Sequence, residues 1–99
     1  MTGDNKSLFQ HLNRETGRIS WRELAPWFAR GDTLQVADGL DLVAVATALA
    51  ADEAATVKAW LAAGQLGPVP ADQAARWHEQ DASVWAVVVL PWILVQGER

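Results

Sequence analysis

The chain has no cysteine, only two histidines, and no uninterrupted apolar stretch of membrane-spanning length. Without cysteine there is no disulfide and no thiolate chemistry, and stability has to come from packing alone. His11 and His78 would each need at least two further ligands or partners to make a zinc or catalytic site. One adjoins the apolar stripe position Leu12 and the other adjoins Trp77, and both read as surface residues. The longest apolar run, Val84 to Val95, contains Pro91 and is about half the ~20 residues that a helical span requires. The start, MTGDNKSLFQ, lacks the basic region and apolar stretch of a secretory signal. Internal repeats and low-complexity linkers are also missing. These absences lead to the expectation of a soluble cytoplasmic protein, with no cofactor and no membrane partner.

What is present is a single-domain composition: 99 residues, 51% hydrophobic and 20% charged, with six tryptophans. A domain of this size buries roughly two thirds of the surface its unfolded chain exposes, and each tryptophan can contribute about 150–250 Å² to that. One domain is expected over 1–99, with 1–6 as a flexible tail. The net charge of -4 is uneven. Residues 1–30 carry five basic and three acidic side chains, and residues 31–99 carry three and nine. The second part should repel phosphate backbones.

Apolar spacing and cap residues divide the chain. Ser7-Leu8-Phe9-Gln10 fits a capping box opening a helix over about 8–16. Ser20-Trp21-Arg22-Glu23 repeats it for a helix over 21–30, with Ile19 stapling onto Leu24, although Pro26 should kink this helix or delay its regular start. A strand follows over 33–37, then a helix over 41–51 capped by Asp41 and one over 53–63 capped by Asp52. Gly64 reads as the left-handed stop of the latter. A brief extended segment at 65–69 and a helix over 71–80 lead into the apolar run 84–95. That run does not alternate, so it reads as one core strand needing cover on both faces, with Trp85 and Trp92 inside. The expected fold is α+β: about five short helices on a small, mainly antiparallel sheet with an apolar C-terminal strand, in an element order like that of a winged helix.

The segments Leu12-Asn13-Arg14-Glu15-Thr16, Ile19-Ser20-Trp21-Arg22-Glu23-Leu24, Leu40-Asp41-Leu42-Val43, Ala59 to Gln65 and Trp85 to Gln96 resemble a family of small bacterial proteins catalogued as domain of unknown function 2288. The resemblance spans about residues 8–96. It implies no activity, cofactor or site residue.

The carboxylate pairs Asp38/Asp41 and Asp52/Glu53 could in principle do acid–base work or bind a hard cation, but they stand where helix caps are needed. Arg14, Arg18 and Arg22, interleaved with Trp21 and Trp27, are candidate anion contacts. Glu15 and Glu23 beside them argue against nucleic acid. The helix 53–63, which would read DNA in a winged helix, offers Lys58 against Glu53, too little cation for that task. Trp27 lies on the opposite side of its helix from Trp21, Leu24 and Phe28, so it is the expected exposed aromatic. With Val89 and Ile93 it forms the candidate interface.

Two functions are compatible with this pattern. One is a protein-interaction or self-associating module that meets a protein partner or a second copy through the C-terminal strand. The other is a small-molecule-binding or enzymatic domain with a Trp-lined, Arg-containing pocket. In either case thermal melts with and without a chelator should coincide; a drop of several degrees with the chelator would reveal a structural metal.

Overall fold

The computed structural model describes residues 2–97, with side chains from Ser7 onward except that of Phe9. The apolar C-terminal run is two strands, not one. β4 (Ser83–Val89) turns at Leu90-Pro91 into β5 (Trp92–Gly97), pairing Val89 with Trp92 and Val84 with Gly97. Proline has no N–H for the ladder and a fixed φ, so the run breaks there. The break also resets the alternation. Val84 and Ala86 share a face with Ile93 and Val95, whereas Val87 and Val89 share the other with Leu94. A continuous strand would have put Val89 and Ile93 together.

The remaining elements are α1 (Thr2–Glu15), β1 (Gly17–Ser20), α2 (Trp21–Ala29), β2 (Thr33–Val36), α3 (Leu42–Ala50), α4 (Ala54–Ala62), β3 (Leu66–Pro68) and α5 (Ala71–Glu79). They form an α+β fold around a five-stranded sheet in the order β1-β4-β5-β2-β3. Every neighbouring pair is antiparallel except β2 and β5. From α2 to β3 the order is the winged-helix-like one. The likeness ends at the C-terminus, where a hairpin stands in place of a single strand, and at β1, which has no counterpart in that order. The helix expected over 8–16 begins at Thr2, so Ser7 lies within it and its capping box is not used. The tail expected over 1–6 overlaps this helix, and Met1 lies outside the described residues.

Each sheet face has its own core. On one face Leu12 of α1 and Leu42, Val43, Val45 and Ala46 of α3 bury Val36, Leu66, Val87 and Leu94, with Val57 and Trp60 of α4 packing at the margin. On the other, Trp21 and Leu24 of α2 and Ala74 and Trp77 of α5 bury Val84, Ile93 and Val95. α2 is thus on the opposite face from α3 and α4. In the structure α2 crosses to join α5, because the Trp21 ring meets Trp77 at 5.0 Å and Phe28 edge-on at 5.4 Å. Backbone and side-chain bonds hold that pairing: Trp21 N–H donates to the Ala82 carbonyl at 2.9 Å, and Arg22 Nε to the His78 carbonyl at 2.9 Å.

The helix ends combine expected and unexpected chemistry. Asp41 caps α3 as read, accepting from the Val43 and Ala44 amides at 3.0 and 3.3 Å. Gly64 has φ +74° after α4, the conformation in which glycine carries no penalty. Asp52, expected to cap α4, sits instead at φ +60° after α3, and the cap position belongs to Glu53, whose side chain makes no cap bond. Ser20 makes no cap bond for α2 either; its hydroxyl faces Asp81 at 3.3 Å. α2 runs through Pro26 without a break.

The core tryptophans are Trp21 and Trp77, whereas Trp85 is 40% exposed and lies beneath the Arg18 guanidinium at 6.0 Å. Trp21→Ala or Trp77→Ala should therefore cost about 3–5 kcal/mol in denaturant unfolding, and Trp85→Ala much less. Gln96 reaches off β5 to donate to the Ala37 and Leu40 carbonyls at 2.8 and 2.7 Å. Gln96→Ala should cost about 1–3 kcal/mol, chiefly by orphaning the Leu40 carbonyl, since the Ala37 carbonyl still accepts from the Leu40 amide at 3.0 Å. No loss of stability would mean that water replaces the amide.

Candidate functional site

β4 is longer than the strand beside it. β1 pairs with Ser83 to Ala86 only, while β5 accompanies β4 through Val89. The reason is local: α1 runs to Glu15, and the next residue, Thr16, still closes its last turn, amide and hydroxyl both donating to the Leu12 carbonyl, at 3.0 and 2.7 Å. The chain is still finishing a helix where a longer β1 would have begun. Val87 to Val89 thus have no strand of the sheet on that side. Because successive residues of an antiparallel strand turn their backbone groups to alternate sides, this stretch directs N–H and C=O groups toward the open edge.

The other margins of the sheet are protected. β3 ends in Pro68, which lacks a ladder donor, and β1 is four residues long with Arg18 within it; both are devices that discourage strand addition. The open stretch of β4 is short as well, but Val87 to Val89 include neither a proline nor a charge. Val88 is 55% exposed and Leu90, at the hairpin tip, 86%. Trp27 of α2, 38% exposed, stands on the same side of the sheet as Val88 with the Arg30 guanidinium 5.7 Å from its ring.

A depression flanks this edge on each face. The one under α2, about 480 Å³, is lined by Gly17, Ile19, Leu24, Trp27, Val88 and Ile93, with Glu15, Arg18 and Glu23 at its rim. The other, about 520 Å³, lies between α1 and the hairpin tip and includes His11, Leu12, Ala50, Val89 and Leu90. Val88 and Glu15 border both. The floor of the first is shallow in side chains because its cross-strand pair is Gly17 and Ala86. A Cβ added at Gly17 would meet no atom within 4 Å.

The candidate interface residues read from sequence do not form one patch. Trp27 is exposed, Val89 is half-buried against the α1–α3 core, and Ile93 is buried against the α2–α5 core on the opposite face. Val88 and Leu90, which sequence reasoning missed, hold the exposed positions. Their signal was Pro91, had it been read as a turn and the alternation restarted after it. The candidate anion contacts are not brought together either. Arg22 is engaged with the His78 carbonyl and lies 3.7 Å from Asp81. Arg18 rests against Trp85, and Arg14 is exposed at the end of α1. Only Arg18 reaches the depression under α2, opposed there by Glu15 and Glu23, so this groove does not favour an anion. Among the described residues no three His, Asp or Glu side chains gather as a metal site would require, and no helix is long and apolar enough to cross a membrane.

No curated protein matches this chain. A solved structure that does is described as the NMR solution structure of PA1075 from Pseudomonas aeruginosa. It is 49% identical with a TM-score of 0.82, and the match covers 94% of this chain and 86% of that one. The profile of the family described as protein of unknown function (DUF2288) matches residues 7–97. With nearly its whole length inside that match, and with a fold shared at this level of identity, the chain belongs to the DUF2288 family.

Proposed function

We propose that this protein is a non-catalytic cytoplasmic association module that takes up an extended polypeptide segment along the open edge of β4. The observation that carries this reading is the mismatch between β4 and β1, which exposes a strand edge at Val87 to Val89 with a mainly apolar depression under α2 on one face and a mixed one beside His11 and Leu12 on the other. Strand addition draws affinity from main-chain hydrogen bonds and specificity from pockets that receive alternate side chains. Both components are present here. The first comes from the backbone groups of the open edge and the second from the groove under Trp27 and the hollow beside Leu12. The protein partner expected from the sequence is retained in this reading, but its docking surface moves from Val89 and Ile93 to Val88, Leu90 and Trp27.

Photo-crosslinking in the cells that make the protein tests this. A photoreactive residue in place of Val88 should yield covalent protein adducts. The same residue in place of Thr56, exposed on α4, should yield none. Equal labelling at the two positions, or none at either, would sink the reading.

A further inference from the structure

We infer that the segment received by the β4 edge is basic: it carries a lysine or arginine in register with Val88, with its aliphatic stem in the groove under α2 and its charge at Glu15 and Glu23. This rests on the strand-addition reading above and identifies the chemistry of its partner. Register comes first. Val84 and Ala86 pack with the α2–α5 layer, and Val87 and Val89 with the α1–α3 layer. Alternation therefore sets Val88 on the α2 side, where it lines the groove. A residue standing opposite Val88 on an added strand points to that same face, whichever way the strand runs. Within the open stretch it is the side chain delivered to the groove, while its neighbours point to the hollow beside Leu12. The groove is walled by Ile19, Leu24 and Trp27, and its floor is bare at Gly17, so it suits an unbranched apolar stem.

The rim decides what that stem should end in. Glu15 and Glu23 border the groove, and the cations nearby are directed elsewhere. Arg22 donates to the His78 carbonyl at 2.9 Å and lies 3.7 Å from Asp81. Arg30 lies 3.3 Å from Asp32. Arg18 also borders the groove, but its guanidinium stands over the Trp85 ring at 6.0 Å. Trp85 falls between Val84 and Ala86, so it faces the opposite side of the sheet. Among the described residues Glu23 has no ion pair, and that of Glu15 is a 3.9 Å surface approach to His11. Lysine and arginine match such a site, because they lay an apolar stem on apolar surface while keeping the charged head in water. An acidic side chain would meet two like charges. The net charge of -4 acts in the same direction, drawing a basic segment from a distance.

Fluorescence anisotropy with labelled, capped peptides of alternating threonine and valine, differing in one central residue, tests the assignment. The carboxylates are exposed, so their effect should be a few-fold: in low salt a central lysine should bind about fivefold more tightly than norleucine, which has the same stem without the ammonium. Glutamate should bind more weakly than either, and added salt should erase the lysine advantage. The double variant Glu15→Gln, Glu23→Gln should bring lysine and norleucine level. The pair Glu15→Lys, Glu23→Lys should rank glutamate first. Both variants should stay folded, as judged by circular dichroism, because both side chains are exposed. Equal binding of lysine and norleucine by the unaltered protein overturns the basic assignment, as does a lysine preference that the double glutamine variant keeps. Failure of the lysine peptide to bind overturns it too. In each of these cases protein adducts from a photoreactive residue at position 88 would show that the strand-addition reading survives, and their absence would remove both.

Discussion

Everything in this fold answers to the β4–β5 hairpin, whose thirteen positions, Ser83–Val89 and Trp92–Gly97, include almost no side chain suited to water on either face. Burying apolar surface contributes roughly 25 cal/mol per Å², so a hairpin of this kind gains most when layers close over both sides. Five helices of mostly nine residues are individually too short to be stable, and their distribution into two layers is set by what the hairpin needs. α1, α3 and α4 cover the face of Val87 and Leu94, and α2 and α5 cover the face of Val84, Ile93 and Val95.

The thinner of the two layers depends on aromatic packing. α2 and α5 have few large aliphatic side chains to offer, and Trp21, Trp77 and Phe28 supply the volume. Gly97 of β5 lies directly under Trp77, where a Cβ would approach Cζ2 at 3.3 Å, so the ring settles against backbone. The opposite layer is aliphatic and is completed by small residues of α3, whose Ala46 and Ala48 let that helix lie close.

Much of this was legible in the residues. Seven of the ten elements follow from cap residues and apolar spacing, because a helix stop such as Gly31 or Gly64 and a cap such as Asp41 are local devices that act without knowledge of the rest of the chain. What escaped was nonlocal. β1 is four residues between two helices, too short to show a period, and becomes a strand only because Val84 to Ala86 lie beside it. The hairpin turn carries no Gly or Asn, the usual markers, so the parity of β5 was read from β4 and came out inverted. That one inversion misplaced Val89 and Ile93 as a surface while Trp27, judged from its own helix alone, was placed correctly. The open edge could not be read at all, since it is a difference in length between two strands of which one was unseen.

The parallel pairing of β2 with β5 has a consequence for how the molecule comes into being. β2 spans residues 33–36 and β5 spans 92–97, yet they lie side by side at the middle of the sheet. During synthesis the hairpin follows every other element, so helices and edge strands that depend on it wait, without a surface to pack on, until nearly the last described residue has left the ribosome. Contacts closed over such a span form late and slowly. A chain stopped before Ser83 has β2 and β3 but nothing between them and β1, and its apolar helices have no central strands to cover.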